Sequence, residues 1–340
     1  INLCYADDME EDETEDITET EINEVNEVSK NAGEVPILNS RRCVIFDRTS
    51  KTVMYGKNEE LRSAMASTTK IMTATIALEN GNLQDEVTID RKAAGTGGSR
   101  LGLKRGDKIT LNDLLYGLML KSGNDAAVAI AEHIGGSVEG FAELMNQKAT
   151  ELGLKDTHFV TPHGLDSSEH YTTALELAKL TDYALRNEKF AKIVATKSTT
   201  ISINGNPRQL FNTNELLGVL NGVIGVKTGF TNDAGRCLVT ETKRGDTDII
   251  VVVLGADTKK DRTKDSIKLI EYAFSNFTKV NIKEKAIEEF ENWERINRNR
   301  ILIIKGQKDR ISLDIGKINT ETIPVKETDK LEITINTINQ

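Results

Sequence analysis

The chain has 340 residues, enough for a sizeable core and, as a first expectation, for two domains. Hydrophobic residues make up 38% and aromatics 5%; no run of eighteen apolar residues occurs, which excludes a membrane-spanning helix within this sequence. The net charge of −9 is local: residues 7–28 carry twelve acidic and no basic side chains, and the mildly basic remainder shows no cluster that would mark a nucleic-acid binder.

The chain does not begin with Met. Ile1 to Ala6 reads as the end of a secretory signal, with Cys4 and Ala6 as the small residues of a cleavage site. No small residue directly precedes Cys4, which counts against lipid attachment there. The acidic stretch that follows reads as a self-repelling, unstructured leader, and residues 1–35 are assigned to it. Residues 43–46 and 52–55 are β-rich runs joined by residues 47–51, a predicted hairpin. Residues 68–80 predict a helix with one apolar side, stopped at Gly81. Thr110, three residues before Asp113, predicts a capped helix reaching Lys121. Gly123 breaks it, and two further helices are predicted over 125–134 and 138–152. Thr173, three residues before Glu176, opens another, ending near Arg186.

Strands are predicted next, over 199–203, 209–212, 222–227, 236–242 and 248–254, with a hairpin turn at 243–246. A helix over 261–277 closes the region. Strands at both ends with helices between imply an α/β (α+β) fold, a mixed sheet backed by a helical cluster, over residues 36–278. Residues 279–340 read as a small β-rich C-terminal domain, with strands at 301–304, 311–313 and 331–335. Residues 285–297 are ambiguous, because Ile287, Phe290, Trp293 and Ile296 recur at near-helical spacing.

Cys4, Cys43 and Cys237 lack metal-ligand spacing and read as two small buried hydrophobes and a tail residue; a Cys43–Cys237 disulfide stays open. His133, His158, His163 and His170 show no zinc pattern either, and no metal or other cofactor is expected. A Ser-His-Asp triad is disfavoured, since no G-x-S-x-G elbow is present.

Three short motifs carry the chemistry. Ser67-Thr68-Thr69-Lys70 is Ser-x-x-Lys, Ser122-Gly123-Asn124 is Ser-x-Asn, and Lys227-Thr228-Gly229 is Lys-Thr-Gly. The first alone arises by chance about once in a chain this long. At a helix start, however, residues i and i+3 share a face, which brings the Ser67 hydroxyl beside the Lys70 amine. The helix N-terminus adds unpaired N–H groups where an oxyanion would form. Each of the other two motifs arises by chance in roughly one chain in ten or fewer, so the ordered trio decides against coincidence.

These motifs and their surroundings resemble the D-alanyl-D-alanine carboxypeptidases, the low-molecular-mass penicillin-binding proteins. The resemblance rests on 66–73, on 118–127 around Ser122, on Gly164-Leu165-Asp166, on His170 to Ala174, on 225–231 and on 234–239. It is dense over about residues 36–278 and weak beyond. It implies a serine D-Ala-D-Ala carboxypeptidase that trims peptidoglycan stem pentapeptides through an acyl-enzyme and binds β-lactam antibiotics covalently. By this likeness Ser67 is the nucleophile, Lys70 the general base and Ser122 a proton relay. Asn124 touches the substrate amide and supports Lys70. Lys227, Thr228 and Gly229 hold the terminal carboxylate, and the backbone N–H groups of Ser67 and Phe230 form the oxyanion hole. Independently, a serine hydroxyl needs an adjacent base, and burial plus a second cation such as Lys227 would disfavour the charged form of Lys70.

The substrate implies an extracytoplasmic location, secreted or at the outer membrane face. Many family members also contact the membrane through a terminal amphipathic helix, whereas the sequence up to Gln340 is strand-like. Met65 stands where members usually carry Pro. The rival readings are a β-lactamase or D,D-endopeptidase of the same fold, or a non-catalytic cell-wall-binding homologue. A β-lactamase needs a carboxylate to activate deacylating water; Glu169 lies in the right region, but Thr173 occupies the position where an Asn would follow.

Overall fold

The computed structural model describes residues 17–30, 34–297, 321–330 and 332. Helix α1 (Glu19–Lys30) precedes strands β1 (Arg42–Asp47) and β2 (Thr52–Lys57); a 3-10 turn (Ala66–Thr69) then runs directly into α2 (Lys70–Asn80). β3 (Glu86–Thr88), α3 (Arg91–Ala94) and β4 (Lys108–Thr110) lead to α4 (Leu111–Leu120), α5 (Asn124–Gly135) and α6 (Val138–Glu151). After α7 (Ala174–Ala184) and α8 (Glu188–Val194) come β5 (Ser198–Ile203), β6 (Asn206–Phe211), β7 (Val223–Thr231), β8 (Gly235–Arg244) and β9 (Thr247–Ala256). α9 (Lys259–Asn276), β10 (Phe277–Asn281), α10 (Ile282–Asn297) and β11 (Thr322–Lys326) follow.

Five strands form the main sheet in the order β2-β1-β9-β8-β7. The α/β class with a helical cluster stands, but the sheet is not mixed: every neighbouring pair is antiparallel. Tight hairpins join β7 to β8 and β8 to β9, and such short connections reach only antiparallel partners. The pleat sends alternate side chains of β9 into two cores. Ile250, Val252 and Leu254 pack against the helical cluster. Ile249, Val251 and Val253 pack on the α9 side. Burial on both faces explains the unbroken apolar run of β9; each such side chain contributes about 1.5–3 kcal/mol.

α2 is enclosed rather than one-sided. It is surrounded by α4, α5, α6, α7 and α8, and Lys70 through Ala77 are all buried. The two predicted caps form: the Thr110 hydroxyl accepts from the Asp113 N–H at 3.1 Å and that of Thr173 from the Glu176 N–H at 3.0 Å. α8 was not predicted; Asn187 caps it, accepting from the N–H groups of Lys189 and Phe190.

One further expectation changes, and two open readings are decided. Residues 19–30 of the predicted unstructured leader form α1, which packs on α9 with Ile17 and Ile22 buried in the α9-side core. Glu19, Glu24 and Glu27 are exposed while Ile22 is buried and Val25 packs against the core, a helical spacing that the charge density concealed. Cys43 and Cys237 are free, buried in the two different cores on opposite faces of the sheet, so no bond joins them. Residues 285–297, left ambiguous, are helical, as part of α10. In the C-terminal part, β10 pairs with β11, which was not predicted, and Lys326 Nζ donates to the Tyr272 hydroxyl of α9 at 2.6 Å. The predicted strands at 301–304 and 311–313 lie outside the described residues, as do residues 1–6 and, save Glu332, the strand at 331–335.

Candidate active site

The Ser67 motif sits on a tightly wound turn. Three residues complete each turn of a 3-10 helix, so Ser67 and Lys70 stand one above the other. Lys70 Nζ lies 2.7 Å from Ser67 Oγ. The lysine is fully buried, and its Nζ also lies 2.7 Å from Asn124 Oδ1 and 2.9 Å from the His163 carbonyl oxygen. Ser67 is partly exposed at the head of this buried column.

The turn is clamped from behind. Ala66 adopts φ +47°, a left-handed conformation that costs a non-glycine residue free energy. Its carbonyl accepts from the Thr69 hydroxyl at 2.8 Å, and Thr69 Oγ1 lies 2.8 Å from His170 Nε2. His170 Nδ1 accepts from the Val160 N–H at 2.9 Å, which assigns the ring proton to Nε2. Burial pushes His170 down to about 4, with the charges of His158 and Lys70 acting the same way, so the neutral tautomer persists at neutral pH. Gly164, at φ +89°, closes the clamp: a Cβ there would stand 1.9 Å from the Ala66 carbonyl oxygen.

The second motif reaches the first through Asn124. Its Oδ1 takes Lys70, and its Nδ2 donates to the Gly97 carbonyl at 2.8 Å. Ser122, 6% exposed, precedes α5 in a left-handed conformation, φ +60°. Asp125 shapes the loop above. Its Oδ1 accepts from Leu101 N–H at 2.8 Å, and its Oδ2 from Gly102 at 2.7 Å and Leu103 at 2.9 Å.

The third motif lies within β7, which continues to Thr231 rather than ending at Lys227. β7 is the edge strand beside the Ala66–Thr69 turn. A Cβ on Gly229 would stand 3.0 Å from the Ser67 nitrogen, so a side chain there would push strand and turn apart. Lys227 is buried, and its Nζ donates to the Thr228 carbonyl at 2.9 Å. Burial, helped by the charge of Arg262, pushes Lys227 down to about 7. Thr228 Oγ1 lies 2.7 Å from Thr213 Oγ1. Phe230 is half-buried, with the Arg236 guanidinium 3.8 Å from its ring centroid.

Asn124 touches Lys70 and Gly229 lies against Ser67, so the three motifs, 160 residues apart between Ser67 and Lys227, meet in one place. The family model described as D-alanyl-D-alanine carboxypeptidase aligns with residues 29–258. The chain belongs to that family. D-alanyl-D-alanine carboxypeptidase DacF of Bacillus subtilis is 40% identical over 244 residues, 70% of this chain and 63% of that protein. DacD of Escherichia coli is 35% identical over 291 residues, 82% of this chain and 72% of that protein. The solved D-alanyl-D-alanine carboxypeptidase DacD from Francisella tularensis superposes with a TM-score of 0.69 at 30% identity, covering 74% of each chain. For the carboxypeptidase family, then, the predicted membership and fold class both hold.

Asp125, His163, His170, Arg262 and Thr213 were given no role from sequence. Asp125 and His170 stand inside stretches that carried the resemblance. Glu169, weighed as a deacylating carboxylate, is exposed, and its backbone carbonyl accepts from His158 Nδ1. Among the described residues no cluster of potential metal ligands occurs.

Proposed function

We propose that this family member is a serine D-Ala-D-Ala carboxypeptidase acting on peptidoglycan stem peptides outside the cytoplasm. The observation that carries the reading is the 2.7 Å contact between Lys70 Nζ and Ser67 Oγ, within a column buried on all sides but the cleft. Lys70 accepts the hydroxyl proton as Ser67 Oγ attacks the carbonyl carbon between the two D-Ala residues. The oxyanion is met by the N–H groups of Ser67 and Phe230. Ser122 passes the proton to the leaving amine, the C–N bond breaks, and free D-Ala departs. Water then attacks the ester, with Lys70 taking its proton, and Ser67 is regenerated. Asn124 holds Lys70 at its station while its amide faces the substrate. Lys227 and Thr228 grip the terminal carboxylate, and Gly229 lets the strand lie close enough to do so.

A β-lactam that carries a carboxylate beside a strained amide would enter the same cleft and stop at the acyl-enzyme. Intact-mass analysis after benzylpenicillin, with peptide mapping, tests the scheme: one adduct is expected, on Ser67. Ser67→Ala should abolish both the adduct and the release of D-Ala from a D-Ala-D-Ala peptide. A labelled Ser67→Ala protein would overturn the assignment. Rapid turnover of a chromogenic cephalosporin would favour a β-lactamase instead.

A further inference from the structure

We propose that Thr213 is a positioning residue for substrate-carboxylate recognition, acting through the Thr228 hydroxyl. The inference rests on the proposed function above and adds a residue that it does not contain.

Thr213 stands between two anchored asparagines. Asn212 Nδ2 donates to the carbonyls of Val194 at 3.2 Å and Thr196 at 3.1 Å. Asn214, 3% exposed, donates from Nδ2 to the Gly225 carbonyl at 2.9 Å and accepts on Oδ1 from the Leu216 N–H at 3.1 Å. Asn212 Oδ1 in turn accepts from the Asn214 N–H at 3.0 Å. The backbone N–H of Thr213 donates to the Leu120 carbonyl at 3.3 Å, two residues before Ser122. Thr213 is therefore tied by its backbone to the end of α4, beside the Ser122 motif, and by its side chain to the Lys227 motif.

Proton bookkeeping gives the pair a direction. Each threonine hydroxyl has one proton and two lone pairs. With the site empty, either oxygen of the Thr213–Thr228 pair can donate. A carboxylate has no proton to give and demands one from Thr228. Thr228 can meet that demand and keep its 2.7 Å contact only if Thr213 is the donor between them. The bound state is then a one-way chain, Thr213 O–H to Thr228 Oγ1 and Thr228 O–H to carboxylate. In such a chain the first bond polarises the second. Rigid anchoring of residues 212–214 fixes the rotamer of Thr228 before the ligand arrives, so less ordering remains to be done on binding.

The test uses two acylating ligands that differ at one group, benzylpenicillin with its free carboxylate and its methyl ester. Thr213→Val keeps the shape and removes the hydroxyl; Thr213→Ser restores it. The second-order rate of acylation of Thr213→Val by benzylpenicillin should fall about tenfold or more. The rate with the methyl ester should be unchanged, and Thr213→Ser should recover most of the loss. An equal fall with both ligands would mean a general structural role, and no fall with either would mean no role; each overturns the proposal. Wild-type protein that takes up neither ligand on Ser67 would instead sink the acyl-enzyme reading itself, and this inference with it. Should Thr213→Val fold poorly, Thr213→Ala read by the same ratio of the two ligands decides the question.

Discussion

Lys70 and Lys227, fully buried, and Arg48, part-buried, lie toward opposite ends of the sheet, and they are held in opposite ways. In the cleft, Lys70 is met by the oxygens of Ser67, Asn124 and His163, and Lys227 by the carbonyl of Thr228, all of them neutral. At the far end, Arg48 reaches three carboxylates: Asp182 at 3.3 Å, Asp248 at 2.9 Å, and Glu241. Neutral acceptors orient an amine without fixing its charge. That suits the roles proposed above, a base at Lys70 and a carboxylate anchor at Lys227. Three carboxylates do the reverse and lock a guanidinium in place for structure alone. The difference teaches that burial by itself does not mark a functional cation; the charge of its partners does.

The sharpest way to break the comparison is to remove one cation from each end. Lys70→Met keeps the bulk of the column and takes away the proposed base. Acylation by benzylpenicillin should slow by about 10²–10⁴-fold. Thermal unfolding should show the variant folded, since none of the three released oxygens is a buried charge. A variant that acylates at the wild-type rate would remove Lys70 from the mechanism.

Arg48→Met should do the opposite, lowering stability by about 3–5 kcal/mol at pH 8, because Glu241 and Asp248 lose the cation that pairs with them, while Asp182 keeps Lys51 and Arg186. The acylation rate of the folded fraction should stay within about twofold, being set by groups at the other end of the strands. Burial pushes Glu241 up to about 7, although Arg48 beside it pulls the other way. An acid whose folded pKa is raised holds its proton more firmly folded than unfolded, so its contribution to stability is lost as pH rises through about 7. Glu241 is thus neutral at pH 5, and the penalty of Arg48→Met should shrink there. Urea unfolding at pH 5 and pH 8 checks this; an equal penalty at both would mean that Glu241 is ionised throughout.

Lys227 gives a tenfold-scale effect with the sign running through ligand binding. Its value of about 7 means that the free site loses the charged form above neutrality. Acylation by a carboxylate-bearing penicillin should therefore fall about tenfold per pH unit above 7, while the methyl ester shows no such limb. The same depression makes the fold gain stability as pH rises from about 7 towards 10.5, where the unfolded chain still binds a proton that the folded chain has lost. A flat profile for benzylpenicillin up to pH 9 would mean that the charge on Lys227 does not assist binding.

How much of this was legible beforehand follows from range. The motifs were visible because Ser67 and Lys70, or Ser122 and Asn124, are local pairs whose geometry a turn dictates. Most helices and strands of residues 36–278 were found by periodicity and caps. Three kinds of feature were not. The single orientation of the sheet depends on which strands meet, and β1 finds β9 across more than 200 residues. The clamp of Thr69, His170 and Gly164 on Ala66 joins residues that no short pattern links. α1 was hidden because twelve acidic charges outweigh two or three apolar residues in any compositional average, yet Ile17 and Ile22 suffice once α9 offers a surface.

α1 also supplies the smallest effect, and a control on the largest. Glu21 pairs with Lys260 of α9, and this side-chain hydrogen bond, followed by the Thr18 backbone N–H, holds its carboxyl down at about 2. Both partners are exposed enough for water and salt to screen them, unlike the carboxylates around Arg48. Glu21→Gln should leave the unfolding midpoint nearly unchanged and acylation untouched. Ile22→Asp should release the helix instead, because it puts a charge where the α9-side core has no partner for it. Amide exchange over residues 19–30 distinguishes the two: protection kept in Glu21→Gln and lost in Ile22→Asp places the hold of α1 in its apolar face. Protection lost in both would place it in the ion pair, and would make charge, rather than burial, what fastens this acidic segment to the enzyme.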